Sequence, residues 1–269
     1  MFLVIGVDAM SWDVVMENLE RLKNIAKLVN MGNAREIMLE EKPISASIWC
    51  GMFCGLLPDE HKHYSYVRDG EIVRREDIDV KFIWDILHEE GKKVYAVNVP
   101  FVVPPFSFGT DFKPVGFGLP TDEREWEEEL ERVTAKTKEL ISGKPDLLIT
   151  VFTLLDRVQH FHWGEPCVIE WYMRVDEKIG EIVFETGFLS DYEQDEQDEQ
   201  DEHGDDRLIL ISDHGFCSFE NARVRTLTAH EGIKGDHSDR AMVVTVNVPY
   251  DIKRPQDVFF AIRKVIGKD

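Results

Sequence analysis

Cysteine is scarce in this chain. There are four in 269 residues, and none falls in a C-x-x-C or Cys/His spacing that would hold structural zinc or a redox pair. Cys50 and Cys54 stand four apart, one helical turn, and all four thiols read as small buried side chains. Basic residues are few: 31 Lys and Arg face 52 Asp and Glu. The formal net charge of −21 argues against binding duplex nucleic acid or an anionic membrane through bulk electrostatics. A basic leader is also lacking. The opening Met1-Phe2-Leu3-Val4-Ile5-Gly6-Val7 ends at Asp8, too early for a signal peptide or a membrane span, so it reads as a first strand and the protein is expected to be cytoplasmic. No internal repeat occurs beyond an acidic triplet.

That triplet lies in residues 191–206, DYEQDEQDEQDEHGDD, which carry ten acidic residues and no Lys or Arg, about half of the net charge. With no apolar residue after Tyr192 it has nothing to bury, and a solvated, mobile loop is expected. The whole chain is 43% hydrophobic, enough for a single α/β domain spanning 1–269. Strands are expected at Phe2 to Val7, Val94 to Asn98, Leu147 to Phe152, Leu208 to Ser212 and Met242 to Val246. Helical spacing covers Trp12 to Val29, Ile83 to Glu90 before Gly91, Glu125 to Ile141, Val168 to Val183 and Pro255 to Ile266.

The strand ends draw attention. In RLILISDHGF (207–216) a continuous apolar run stops at Ser212-Asp213-His214, and such runs are strands buried on both faces of a parallel sheet. Ligands bind beyond the carboxyl ends of those strands. A lone Asp there is as often a turn residue or an N-cap. However, FLVIGVDAM stops at Asp8, LLITVFTLLDRVQH carries Asp156 and His160, and KGDHSDRAMVV puts His237 before another strand. Three carboxylates and three imidazoles thus collect at one sheet edge. Carboxylate oxygen and imidazole nitrogen are ligands of zinc, manganese and iron, and clustered acids repel one another without a cation. Three Asp and an ionised serine would balance two divalent ions, a pair which, at about 3.5–4 Å apart, can clamp the attacking and leaving oxygens of an in-line displacement at phosphorus.

A nucleophile is offered by EKPISASIWCGMFCGLLPDEH (41–61), where Ser45 or Ser47 begins a short helix around Ile48 to Phe53. A helix N-terminus favours an alkoxide and an incoming phosphate, although a serine there also serves as a plain N-cap.

These segments, together with FIWDILHEEGKKVYAVNVPFVVPP, GFGLPTD and FTLLDRVQHFHW, resemble the type I phosphodiesterase/nucleotide pyrophosphatase family of the alkaline phosphatase superfamily over nearly the whole chain outside the acidic run. The resemblance implies an alkaline phosphatase-like three-layer sandwich with a central, largely parallel sheet. It also implies two divalent ions, zinc foremost and manganese or iron as substitutes. Asp8, Asp213 and His214 would hold one ion with the nucleophile, and Asp156, His160 and His237 the other. The family nucleophile, usually Thr, precedes a Trp or His by four residues and a small residue with Gly by nine, which selects Ser45 from its spacing to Trp49 and Cys54-Gly55.

Three features set this chain apart from that pattern. Lys62 follows His61 where the family usually has Gly, making Lys62 and Tyr64 candidates for substrate contact. The connection from Phe216 to His237 is short, giving a minimal cap. The acidic run has no family counterpart. Asn98, ending a strand, is a further candidate substrate contact or else a turn residue, while His162 and Trp163 read as packing or surface residues. The Cys/Ser-x-Pro-x-Arg motif of sulfatases does not occur around Ser45. The expected activity is hydrolysis of phosphodiester or pyrophosphate bonds in small, nucleotide-like molecules through a covalent Ser45 intermediate. The alternatives are a phosphomonoesterase or phosphonate hydrolase using the same residues, or a relative that binds metal or nucleotide without turnover.

Overall fold

Strand β1 (Phe2–Val7) is apolar at every position because helices cover both of its faces. Phe2 and Val4 join a core that contains Trp49, Phe53, Trp84 and Ile262, whereas Leu3, Ile5 and Val7 join a second core with Ile25, Leu130 and Tyr172. The computed structural model that shows this describes residues 1–115, 122–189, 206–227 and 231–267. The acidic run, except for Asp206, and GFGLPTD, except for Asp122, lie outside the described residues, as does His230.

After β1 come α1 (Trp12–Glu17), α2 (Lys23–Met31), β2 (Asn33–Met38), α3 (Ser45–Cys54), α4 (Pro58–His61) and a small hairpin of β3 (Val67–Arg68) and β4 (Glu71–Ile72). The chain continues through α5 (Ile83–Glu89), β5 (Val94–Val99), β6 (Phe106–Phe108), α6 (Glu123–Ser142), β7 (Leu147–Phe152), α7 (Leu154–His162) and α8 (Pro166–Gly180), which runs on into a π turn at Glu181–Glu185. Strand β8 (Arg207–Ile211), a ribbon of β9 (Gly215–Ser218) and β10 (Gly235–Ser238), β11 (Arg240–Val246) and α9 (Asp257–Ile266) follow. The seven-stranded sheet has the order β2-β11-β8-β1-β7-β5-β6. Its four central strands, β8, β1, β7 and β5, are parallel, and the antiparallel pairings involve β11, β2 and β6. Helices α3, α5 and α9 pack on one face; α2, α6, α7 and α8 pack on the other. This is a three-layer α/β architecture.

Two expectations are corrected. The helix expected over Trp12 to Val29 is two helices, because Asn18 leaves the helical path and its Nδ2 donates to the Val14 carbonyl at 2.8 Å, a local bond that competes with the backbone ladder. Strand β2 escaped sequence reading because NAREIM lacks an apolar run: it is an edge strand, and charged residues are usual there. Between Phe216 and His237 the described residues form only the β9–β10 ribbon and its connection. Among the described residues, no helix is long and apolar enough to cross a membrane.

Gly6 locks the sheet to the helix that begins at Ser45. A Cβ there would lie 2.6 Å from Trp49 Cη2 and 3.0 Å from Val151 Cγ2. Overpacking of this kind costs about 1–3 kcal/mol, more than the roughly 0.4–1 kcal/mol that a Gly→Ala change contributes through the unfolded chain. Gly6→Ala is therefore expected to lower the urea midpoint of unfolding with an unchanged m-value. A midpoint equal to wild type would show that the Trp49 ring moves aside freely.

Candidate active site at the carboxyl edge of the sheet

Parallel strands deliver their carboxyl ends to one edge, and the chemistry-bearing residues arrive there from separate connections. Asp8 follows β1, Asp213 and His214 follow β8, Asp156 and His160 occupy successive turns of α7 after β7, and His237 lies on β10. Ser45 is the first residue of α3, and its Oγ lies 3.0 Å from His214 Nε2. Ser47, also buried, has its backbone N–H bonded to Ile44 at the same helix start.

The side chains fall into two groups. In the first, His214 Nε2 is 3.2 Å from Asp213 Oδ2 and 3.6 Å from Asp8 Oδ1. In the second, Asp156 Oδ1 is 3.0 Å from His237 Nε2 and 3.3 Å from His160 Nε2, and the two imidazole nitrogens are 3.2 Å apart. The His214 and His237 rings stack with centroids 3.7 Å apart, joining the groups. Asp8, Asp213 and His214 offer ligand atoms close enough to share one cation, as do Asp156, His214 and His237.

All three histidines are oriented alike. Each Nδ1 meets a carbonyl oxygen: Gly215 for His214 at 2.9 Å, Gly235 for His160 at 3.0 Å and Pro43 for His237 at 2.6 Å. A carbonyl only accepts, so each Nδ1 carries the proton and each Nε2 turns a lone pair, or a second proton, toward the cluster. Asp8 Oδ1, Asp156 Oδ1 and Asp213 Oδ2 are buried without a hydrogen-bond partner. Converging unpartnered carboxylate oxygens and imidazole lone pairs form a hard-to-intermediate O/N donor set that suits a divalent cation.

The electrostatics agree with that donor set. Burial, reinforced by Asp213 and Asp156, holds the Asp8 carboxyl well above its ordinary pKa, and burial pushes Asp213 up to about 7 despite the Ala9 N–H that bonds it. Burial also acts to raise Asp156, but His160 and His237 outweigh it and hold that carboxyl well below the usual range. Burial, with His237 nearby, keeps His214 neutral; His237 is raised because Asp156 outweighs the burial that opposes its charge.

Surrounding bonds fix these groups. Ala9 adopts φ 63°, a left-handed conformation unfavourable for a side chain, which lets its N–H reach Asp213 Oδ1 at 3.1 Å. Gln159 Nε2 holds the Ala9 carbonyl at 2.9 Å, and the Tyr172 hydroxyl braces Gln159 and the Ser11 N–H, each at 3.0 Å. Asp236 was not singled out from sequence. Its carboxylate is filled by the Thr226 N–H, the Thr226 hydroxyl and the His237 N–H at 2.7–2.8 Å, so it orients His237 rather than offering a free ligand.

The three candidate substrate contacts, Asn98, Lys62 and Tyr64, have their bonds and exposure outside this cluster. Asn98 is 1% exposed, and its Nδ2 donates to the Val151 carbonyl at 3.0 Å and lies 3.5 Å from Glu129. Its amide is engaged inside the fold. Lys62 is exposed at the left-handed C-cap of α4, φ 56°. Tyr64 is also exposed and donates to Asp59 at 3.1 Å. Two residues on, Tyr66 turns inward instead: its hydroxyl donates to the Pro100 carbonyl at 2.7 Å and lies within reach of Ser45. Burial of that hydroxyl, then Asp8, Asp213 and Asp156, raise its pKa well above the usual value. Strict alternation in an extended segment would put Tyr64 and Tyr66 on one side, so no sequence signal separates them; the Pro100 carbonyl does.

A second His/Glu/Cys cluster, His162, Glu165 and Cys167, has different electrostatics. Glu165 pairs with Lys234, and its other oxygen is 2.7 Å from His162 Nδ1; Lys234 first and His162 second hold it down at about 2. That carboxylate is already neutralised by protein cations. His162 also packs edge-on against Trp126, and Trp163 packs on Phe216, in keeping with packing roles for both.

Residues 2–267 match the type I phosphodiesterase/nucleotide pyrophosphatase family. No protein of curated function matches the chain by sequence. Among solved structures, murine ectonucleotide pyrophosphatase/phosphodiesterase 5 is similar, with a TM-score of 0.68 at 13% identity, over 100% of this chain and 95% of that one. The likeness in structure supports an alkaline phosphatase-like fold. With the family matched over almost its entire length, the chain belongs to the type I phosphodiesterase/nucleotide pyrophosphatase family and is a phosphoester hydrolase.

Proposed function

We propose that this protein hydrolyses phosphodiester or pyrophosphate bonds in small, nucleotide-like molecules through a covalent Ser45 intermediate, with two divalent ions as cofactors. The observation that carries this reading is the Ser45 hydroxyl at the start of α3, 3.0 Å from His214 Nε2 and beside three buried carboxylates whose facing oxygens have no partner. Asp8, Asp213 and His214 would hold one ion with Ser45, and Asp156, His160 and His237 the other; zinc suits this donor set best, and manganese or iron also fit. Bound there, the pair supplies Lewis acidity to phosphoryl oxygens and eases deprotonation of a hydroxyl and a water.

The chain's own residues account for the rest. The free N–H groups and dipole of the α3 N-terminus favour an anionic phosphoryl group in front of Ser45. Ser45 Oγ forms a bond to phosphorus as the bond to the leaving oxygen breaks, and the leaving group takes up a proton. Water then attacks phosphorus, the Oγ–P bond breaks, and Ser45 regains its proton. Tyr66, released from the Pro100 carbonyl, would turn its O–H to hydrogen-bond a phosphoryl oxygen as charge builds there, keeping its proton. We read the protein as cytoplasmic, a compartment that suits its four unpaired thiols, and as a catalyst for free small molecules rather than polyanions, given its charge.

Three outcomes test this. Hydrolysis of bis-p-nitrophenyl phosphate with zinc or manganese is expected to exceed that of p-nitrophenyl phosphate, and Ser45→Ala should lower diester kcat by at least about 10³-fold. Monoester activity alone would instead indicate a phosphomonoesterase, and two bound ions without turnover a non-catalytic binder. Tyr66→Phe should lower kcat by about 10²-fold with little change in KM; an unchanged kcat removes the tyrosine from the scheme. Metal removal should expose the carboxylates. Burial holds Asp213 at about 7 in the folded, metal-free chain, so it keeps a proton that the unfolded chain has lost, and stability falls as pH rises through that value. The melting temperature without metal is therefore expected to fall as pH rises through about 7, and less steeply in Asp213→Asn. A rising or flat midpoint would contradict this charge arrangement.

A further inference from the structure

Glu129, on α6, is 2% exposed, and polar groups of three residues from two other segments converge on it. Its Oε1 accepts from the Thr153 N–H at 2.6 Å, and both carboxylate oxygens lie 2.9 Å from the Thr153 hydroxyl. Asn98 Nδ2 from β5 approaches to 3.5 Å, and Arg157 closes the group by pairing with Oε2. Arg157 is itself 4% exposed and donates through Nη2 to the Thr153 hydroxyl at 2.9 Å. Thr153 is the N-cap of α7, and Arg157 directly follows Asp156 on that helix.

Buried ion pairs add little net stability relative to apolar side chains of similar volume, so stability alone is a poor account of this one. Its position suggests another. Arg157 places a full positive charge one residue from Asp156, and it interacts with Asp8. The facing oxygens of both carboxylates have no partner. Without a counter-charge the guanidinium would be drawn to them, and a cation would compete with Arg157 for the same oxygens. We infer that Glu129 is a positioning residue of the active site: through Thr153 it sets the first turn of α7, and through Arg157 it keeps the guanidinium out of the carboxylate cradle, so that Asp156, His160 and His237 remain available to a divalent ion. This rests on the proposed reading of those three residues as a metal-binding group.

The test is equilibrium Mn²⁺ and Zn²⁺ binding, measured by dialysis and by Mn²⁺ paramagnetic resonance, independent of turnover. Wild type is expected to bind two ions, whereas Glu129→Gln keeps one and binds the second about 10–100-fold more weakly. Adding Arg157→Gln to that variant removes the stray charge and should return the second affinity to within about 3-fold of wild type. Asp85→Asn, which breaks the half-buried Arg75–Asp85 pair, is the control and should leave both affinities unchanged while lowering the melting temperature. Two tight ions in Glu129→Gln, or a double variant as metal-poor as the single one, would overturn the inference. If Glu129→Gln does not fold, the double variant decides; failure of both to fold makes the pair a folding element and overturns it equally. A wild type that binds no ion at all would instead remove the metal-dependent reading on which the inference stands.

Discussion

Three buried carboxylates drawn to one sheet edge are the constraint around which this molecule is arranged. Asp8, Asp156 and Asp213 leave three parallel strands that lie side by side, so the topology alone brings them together. Like charges out of water repel and are poorly solvated, and such groups persist only where protons or cations compensate them. The fold supplies part of that compensation itself. His160 and His237 hold Asp156 ionised, while Asp8 and Asp213 take the opposite course and favour their protons. A set of acids split in this way accepts cations readily, because each ion displaces protons rather than burying charge anew.

Rigidity follows from the same constraint. Three backbone carbonyls fix the imidazoles, and one of them, Pro43 O, belongs to the turn that leads into Ser45. The position of Ser45, the proposed nucleophile, is thereby tied to the second histidine group as well as to its own. The comparison with Glu165 is instructive. It sits among a histidine, a cysteine and a lysine, yet its charge is already balanced and its oxygens are taken. Ligand-type residues in proximity are therefore insufficient evidence for a cation; what separates the two clusters is whether the acceptors they bring together already have partners.

Much of this was legible in the sequence where a single segment carries its own signal. Central strands read as unbroken apolar runs since both faces are covered, and each ends at the residue that matters, Asp8 or Ser212-Asp213. Segments whose state depends on a neighbour were not legible. Strand β2 owes its existence to β11, the break at Asn18 to one side-chain bond, and the inward turn of Tyr66 to the Pro100 carbonyl. Glu129 looks like any other acid in a helix rich in Glu, and only its three-dimensional neighbours, Thr153 and Arg157, distinguish it from those on the solvent face. Asn98 shows the converse: a polar residue at a strand end invites a functional reading, whereas here its amide satisfies the Val151 carbonyl.

The immobility of the cradle also limits what it can discriminate. Every residue of α3 is buried; Trp49 presses on Gly6 at one end, and at the other Gly55, at φ 75°, faces the Phe259 ring so closely that a Cβ would fall 2.6 Å from it. As the proposed nucleophile, a Ser45 held this firmly would meet a phosphoryl group, the part that monoesters, diesters and pyrophosphates have in common. Selection among them has to come from contacts with the groups that differ, and these lie beyond the cradle. The stretch from Lys62 to Val73 is where the chain has freedom to make such contacts: Lys62, Tyr64, Val67 and Ile72 are exposed, while Tyr66, in their midst, reaches in toward Ser45. In the proposed reading, chemistry and selectivity fall to different parts of the fold, the first to strand ends and a buried helix, the second to a surface segment held down by His63, Tyr66 and Val73.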